Sequence, residues 1–147
     1  MEKLLKYDHS PLDYTIFAVL NSSIFGLIFS LSMFHKSYEP SKFDFRKKLI
    51  FTGRNILVIS TLHGLNQYLS KFLKIQKNRK KLKDMLNIKS NKTADFLSSL
   101  ISSAVPSYLA LKIYFYKNNY VFIERKFFFM YGMILMLFDY INYDKKN

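Results

Sequence analysis

An apolar run without a charged residue, YTIFAVLNSSIFGLIFSLSMF at 14–34, limits what this chain can fold into. An α-helix rises about 1.5 Å per residue, so a helix over this run is about 30 Å long, the thickness of a bilayer's hydrocarbon core. Asp13 precedes the run, and His35 and Lys36 close it, so that both ends can lie in water. We therefore predict a transmembrane helix over 14–34.

A second apolar segment covers 49–73, and its uncharged centre, 55–70, is short for a bilayer. Arg54 and Lys71 flank this centre, and long basic side chains can extend along a helix to reach the headgroup layer. The whole segment is therefore long enough to cross the membrane.

A third segment covers 96–116, with Lys112 as its single charged residue. It contains Pro106, which has no N–H and therefore leaves one main-chain carbonyl of the helix without a donor. In a membrane bundle a neighbouring helix or a serine can supply that donor. A fourth segment, apolar over 127–138, reaches spanning length only when it is extended to 121–143.

The segments 56–62 and 127–138 are apolar on all sides, which a surface helix of a small soluble bundle is not. The sequence thus predicts an all-α fold with one membrane domain over 1–147, a four-helix transmembrane bundle with a basic central loop at 71–92. Two alternatives stay open, since short apolar segments also form buried core helices. They are one or two spanning helices joined to a soluble part, and a soluble helical fold.

Small residues recur at every fourth position in three of the four apolar segments, and the fourth contains only Gly132. Helices in lipid associate through close backbone approach and interhelical hydrogen bonds, which such lines of small side chains permit. The alternative reading is that serine is simply common in this chain. The predicted helix-packing residues are Ser22, Gly26, Ser30, Ser60, Gly64, Ser99, Ser103, Ser107 and Gly132.

The chain is strongly basic, with 23 Lys and Arg against 10 Asp and Glu and a formal net charge of +13. A basic cluster beside a membrane helix attracts anionic phospholipid such as cardiolipin, or docks on an acidic subunit; a solvated loop is the plain alternative. Nucleic acid is not expected as a partner, because the loop offers only Phe72 for stacking on bases. The predicted lipid or subunit contacts are Lys71, Lys74, Lys77, Arg79, Lys80, Lys81 and Lys83.

Catalysis and cofactor binding have little basis in this sequence. There is no cysteine, and His9, His35 and His63 lack the spacing of a metal site. We predict a non-enzyme without a cofactor, a metal or a small-molecule substrate. His63 lies inside an apolar segment, where it is either a functional ionisable residue or a neutral side chain bonded to a carbonyl of a neighbouring helix.

Two longer stretches carry a resemblance to a known family. In TGRNILVISTLHGLNQYLSKFLKIQKNRKK at 52–81, a helix begins with a small residue and an arginine, carries a small-residue line and ends in a basic stretch. In NKTADFLSSLISSAVPSYLALK at 91–112, an asparagine-containing entry leads into a small-residue helix that ends in a basic residue. With four apolar segments over 14–140, this layout resembles the mitochondrial Tim seventeen, twenty-two and twenty-three family of membrane proteins.

The resemblance is greatest to the family member that is an accessory subunit of respiratory complex I. It implies a multi-pass protein of the mitochondrial inner membrane that stabilises a large complex by helix packing and lipid contact with other membrane subunits. The alternatives are a core subunit of a mitochondrial inner-membrane protein translocase, an accessory subunit of another respiratory complex or of ATP synthase, and a membrane-tethered basic binding protein. The orientation stays open, because the distribution of basic residues favours termini on the inner side, whereas the resemblance implies termini in the intermembrane space.

Overall fold

The computed structural model of the chain describes residues 11–37, 45–118, 121 and 123–144, and every regular element in these ranges is a helix. The predicted all-α class is therefore confirmed. Helix α1 covers Pro11–Ser37, α2 Phe45–Ser60, α3 Asn66–Lys74, α4 Gln76–Leu86, α5 Asn91–Phe115 and α6 Arg125–Asp144, with a π-helical turn at Thr61–Leu65 between α2 and α3. Of the predicted domain, residues 1–10, 38–44, 119, 120, 122 and 145–147 lie outside the described residues.

Helices α2 and α3 form one continuous rod with the π-helical turn between them. The backbone stays right-handed helical at Ser60, Leu65 and Asn66, so the turn widens the helix without interrupting it. The predicted segment 49–73 lies within this rod. The rod ends at Ile75, whose extended backbone separates α3 from α4.

The central stretch 71–92, predicted as a basic loop, is helical over much of its length, and this corrects the prediction. In α4 the buried Leu82 faces the protein. Lys77, Lys80 and Lys81, at helical spacing, are exposed on the other side. Because apolar and basic residues separate onto two faces with a helical period, this sequence forms an amphipathic helix.

The fourth apolar segment forms a shorter helix than predicted, since α6 begins at Arg125 and not at the start of 121–143. Before it, the described residues 116–118, 121, 123 and 124 are not helical, and Lys117 adopts a positive φ of 44°. The main-chain N–H of Ile123 donates a hydrogen bond to the Tyr114 hydroxyl over 3.1 Å, which ties this connection to the end of α5.

Helix α1, the rod and α5 lie in this order in one layer, because the rod packs against α1 on one side and against α5 on the other. Helix α6 packs on α5. It also contacts the rod directly, through hydrogen bonds that Asp139 accepts from Ser70 and Lys74 and through the hydrogen bond between Tyr131 and His63. Helix α4 contacts α3 and α5. In this arrangement the rod and α5 are central, and α1 and α6 lie on the outside.

Small polar residues occupy many of the contacts between helices, beside one small apolar cluster, and large apolar residues cover the outside. The cluster consists of Val58, Leu62, Ala110, Tyr114 and Phe128. Five serines of α5 are buried, and they are Ser98, Ser99, Ser102, Ser103 and Ser107. Meanwhile Phe17 on α1 is 69% exposed and Phe138 on α6 is 63% exposed. A water-soluble protein buries its large apolar side chains, so this distribution is the reverse of the usual one.

In the part of the chain that the structure describes, two helices are long and apolar enough to cross a membrane, and both coincide with predicted spans. They are Pro11–Ser32, within α1, and Asn91–Phe115, which is α5. Only 17% of the apolar part of the first stretch is buried inside the protein. Most of the apolar side chains of α1 are therefore exposed on its surface.

Candidate helix-packing and lipid-contact sites

Four of the five buried serines of α5 act as small side chains whose hydroxyls bond to carbonyls of their own helix. Ser103 Oγ donates to the Ser99 carbonyl over 2.9 Å, and Ser107 Oγ donates to the Ser103 carbonyl over 2.7 Å. Ser98 Oγ makes the same bond to Ala94 over 2.8 Å. A hydroxyl that bonds its own helix places no unsatisfied donor against a neighbour, so the helices can approach closely along this face.

The contact between α5 and α6 is closest where Gly132 meets Ser107. A Cβ added to Gly132 would lie 2.5 Å from Ser107 Oγ and 3.7 Å from the Ser103 carbonyl oxygen. Glycine therefore permits an approach at this position that alanine would hinder. Gly132, Ser103 and Ser107, predicted separately as packing residues, lie in one contact.

The contact between α1 and the rod depends on two glycines. A Cβ on Gly26 would lie 2.9 Å from the Cα of Ile56, a backbone atom that cannot rotate away. A Cβ on Gly64 would lie 2.5 Å from Val19 Cγ2. One glycine lies on each of the two partners, so small residues of both helices shape this contact.

The remaining predicted packing residues also lie between α1 and the rod. Ser30 is fully buried, donates to the Gly26 carbonyl and accepts a hydrogen bond of 3.0 Å from Asn55 Nδ2. The Ser60 hydroxyl lies 3.3 Å from that of Ser23. Ser22 is 6% exposed. Asn55, which the sequence reasoning did not single out, is thus a buried donor that joins two helices.

A polar cluster centred on Asp139 joins three helices. One oxygen of its carboxylate, Oδ2, accepts hydrogen bonds of 2.7 Å from Lys74 Nζ on α3 and from Ser99 Oγ on α5. The other, Oδ1, accepts one of 2.5 Å from Ser70 Oγ. The Lys74 side chain is only 8% exposed, so this is a nearly buried ion pair with all its partners in place.

A second ion pair attaches α4 to the start of α5. The Arg79 guanidinium lies 2.7 Å from the Asp95 carboxylate, and both side chains are largely buried. Lys83 Nζ donates to Asn91 Oδ1 over 2.7 Å, and Lys71 Nζ lies 4.5 Å from the centre of the Tyr14 ring.

The predicted lipid or subunit contacts therefore divide into two groups. Lys71, Lys74, Arg79 and Lys83 contact other parts of the chain. Lys77, Lys80 and Lys81 are exposed on the outer face of α4. We refer to these three as the α4 lysine face, and it is the part of the predicted site that can reach a partner.

His63 lies in the π-helical turn and is bonded to α6. Its Nε2 is 2.7 Å from the Tyr131 hydroxyl, and the two rings meet edge to face with centres 5.5 Å apart. π-Helical turns often mark functional sites, but within the described ranges no three His, Asp or Glu side chains group as metal ligands would. The structure thus gives His63 an interhelical hydrogen bond, but its partner is a tyrosine hydroxyl and not the predicted main-chain carbonyl.

Two features of the sequence could have indicated that Asp139 is important: it ends the uncharged stretch 127–138, and acidic residues are scarce in a chain with this net charge. The same holds for Asp95, which lies beside the start of the third segment and pairs with Arg79. Which basic residue pairs with each acidic residue depends on how the helices pack, which the sequence alone does not show.

Comparison with models of protein families, with curated proteins and with solved structures gave no match.

Proposed function

We propose that this chain is a four-helix membrane subunit whose role is structural. One observation carries the proposal, namely the reversed distribution of side chains. Serines and asparagines occupy the helix contacts, whereas the outer faces of α1 and α6 are apolar. Lipid tails or apolar neighbours cover such faces without cost, and water does not.

The positions of the charged residues support four crossings, including the two helices whose apolar stretches are shorter. The uncharged stretches are 14–34 in α1, 55–70 in the rod, 96–111 in α5 and 127–138 in α6. At about 1.5 Å per residue they are about 18 to 32 Å long. Basic side chains at the ends of the shorter stretches can reach the headgroup layers.

These uncharged stretches end at matching levels. At one end, Lys74 on α3 meets Asp139 on α6. At the other end, Arg54 on α2 and Lys112 on α5 line the same groove. Two charged levels thus enclose an uncharged slab across neighbouring helices, which is the arrangement that a bilayer requires.

In this proposal the helices stabilise the membrane subunits that lie beside them. The rod and α5 hold the layer together through their serines, asparagines and glycines, and the outer helices α1 and α6 present large apolar side chains to other membrane subunits or to lipid. The α4 lysine face lies beside one charged level, where it contacts anionic phospholipid such as cardiolipin.

The choice of complex rests on the resemblance of 52–112 to the Tim seventeen, twenty-two and twenty-three family. We propose an accessory subunit of a mitochondrial inner-membrane respiratory complex, with complex I first. The alternatives are a core subunit of an inner-membrane protein translocase and an accessory subunit of another respiratory complex or of ATP synthase. A structural subunit needs only the packing described above.

Complexome profiling of mitochondrial membranes in mild detergent tests the assignment. We expect the chain to migrate with complex I at every detergent strength. Migration with translocase subunits, with another respiratory complex or with ATP synthase would overturn the complex I assignment and leave the membrane fold standing. Recovery in the soluble fraction would overturn both.

Cysteine labelling tests the crossings separately. The chain has no cysteine, so Lys81→Cys and Glu124→Cys each introduce a single thiol. The first position precedes α5 along the chain and the second follows it, so a crossing by α5 puts them on opposite sides of the membrane. In sealed vesicles of one orientation, a membrane-impermeant maleimide should label one of the two variants and reach the other only after detergent is added. Equal labelling of both before detergent would contradict a crossing by α5.

A further inference from the structure

An open groove lies between α2 and α5 at the end of the layer opposite the Asp139 cluster. Its volume is about 460 Å³, and it is lined by Gly53, Arg54, Leu57, Lys112, Ile113 and Tyr116. This groove is distinct from the α4 lysine face, because α5 runs the length of the layer between them. We refer to it as the Arg54–Lys112 groove.

The groove combines two cations with an apolar wall. Arg54 is half-buried on the rod and Lys112 is exposed near the end of α5. Leu57 and Tyr116, which lie beside them, are 54% and 67% exposed. Neither cation belongs to the ion pairs described above, Lys74–Asp139 and Arg79–Asp95. The Lys112 ammonium lies 5.4 Å from the centre of the Tyr108 ring.

Gly53 leaves room at the groove. A Cβ built on Gly53 meets no atom within 4 Å, whereas one on Gly26 would lie 2.9 Å from the Ile56 backbone. Close helix packing therefore does not explain the glycine at position 53. Its effect is to leave the groove beside Arg54 open.

We propose that the Arg54–Lys112 groove binds one anionic phospholipid. Arg54 and Lys112 hold the phosphate, and an acyl chain lies along Leu57 and Ile113. This inference rests on the proposed membrane location of the chain. It adds a lipid site on the membrane side opposite the α4 lysine face.

The two cations and the apolar wall of the groove together favour a phospholipid over other anions. A guanidinium and an ammonium favour a phosphate, because both donate charge-assisted hydrogen bonds to its oxygens. The apolar wall favours a molecule with a hydrocarbon chain, which a free phosphate lacks. An acidic protein segment would satisfy the cations but would leave its own polar backbone against Leu57 and Ile113.

Native mass spectrometry of the full chain, with phosphatidylglycerol or phosphatidylcholine added in mild detergent, tests the proposal. We expect the wild type to retain one phosphatidylglycerol in preference to phosphatidylcholine, and the R54Q/K112Q double variant to lose this preference by about tenfold. The matched control K89Q/K92Q removes the same charge from two exposed lysines that belong neither to the groove nor to the α4 lysine face, and it should leave the preference unchanged. Equal loss in both double variants would overturn the proposal in favour of nonspecific charge attraction.

A third variant separates the groove from its charges. Gly53→Leu keeps both cations and fills open space, so it should reduce phosphatidylglycerol retention without changing helix content by circular dichroism. Unchanged retention in this variant would overturn the groove as the binding site, even if R54Q/K112Q failed to fold.

A fourth measurement separates lipid from a soluble anion. Glycerophosphoglycerol, the headgroup without acyl chains, should not displace the bound lipid at millimolar concentration. Displacement would overturn the phospholipid proposal and favour a soluble phosphate ligand. The cysteine labelling described above decides the membrane location by itself, so a chain that crosses the membrane but retains no lipid contradicts this inference alone.

Discussion

Asn66 donates a hydrogen bond from Nδ2 to the main-chain carbonyl of Ser102 over 2.7 Å. Ser102 is four residues before Pro106, so its carbonyl is the one that the proline leaves without a helical donor. Asn66 is 4% exposed and belongs to the neighbouring rod. The rod therefore completes the hydrogen bonding of α5, and α5 stays continuous through its proline.

This relationship predicts a coupling between Asn66 and Pro106. Asn66→Leu should lower the free energy of unfolding by about 1 to 3 kcal/mol, because it leaves the Ser102 carbonyl buried without a donor. In a Pro106→Ala background the same change should cost less, because residue 106 regains an N–H for that carbonyl. A double-mutant cycle from denaturant titrations in detergent measures the difference. Equal costs in the two backgrounds would contradict the assigned role of Asn66.

The geometry of the Asp139 cluster predicts that removing its one negative charge strongly lowers the stability of the protein. Asp139→Asn should destabilise the protein by about 3 to 5 kcal/mol, because it leaves the Lys74 ammonium unpaired and nearly buried. The Lys74→Met/Asp139→Asn double variant should recover part of this loss, since no unpaired charge remains. Both are measured by denaturant titration in the same detergent.

The matched control for the Asp139 cluster is the exposed pair Lys126–Glu124, whose side chains are 65% and 67% exposed. Glu124→Ala should change the free energy of unfolding by less than about 1 kcal/mol, because water already screens this pair. A loss at Glu124 as large as that at Asp139 would show that burial does not distinguish the two pairs.

Two glycines in the first half of the chain predict opposite results for one substitution. Gly26→Ala should destabilise the protein by about 1 to 3 kcal/mol, because the new methyl group meets the Ile56 backbone and pushes α1 from the rod. Gly53→Ala should be neutral or stabilise by up to about 1 kcal/mol, because it meets no atom and favours the helix. Thermal unfolding of both variants tests this difference. A destabilising Gly53→Ala would contradict the open space at that position.

The sequence was enough to predict the all-α class. It also singled out small residues such as Gly26 and Ser103 by their helical period, which is a local property, and the structure places both at contacts between helices. Pro106 also indicated that a neighbour must supply a donor to one carbonyl of α5. The sequence could not identify Asn66 as that donor, because this depends on the register between two helices.

The stretch 71–92 shows where local reasoning was insufficient. Its many lysines suggested a loop, whereas Leu82 and Arg79 pack inward and a helix forms over Gln76–Leu86. The sequence likewise could not distinguish Lys74, which pairs with Asp139, from the exposed Lys77. Both distinctions depend on contacts across the layer, and no local period carries that information.

The hydrogen bond between His63 and Tyr131 predicts a modest contribution to stability from a single hydroxyl. Tyr131→Phe should lower the free energy of unfolding by about 0.6 to 2 kcal/mol, the range for hydrogen bonds between membrane helices. In a His63→Phe background it should cost nothing, because the hydroxyl has already lost its partner. Tyr140→Phe is the matched control on the same helix, since no described residue hydrogen-bonds its hydroxyl, and the ring contact with Phe96 is kept. If Tyr131→Phe costs no more than Tyr140→Phe, the bond adds nothing to stability, and His63 would need another role.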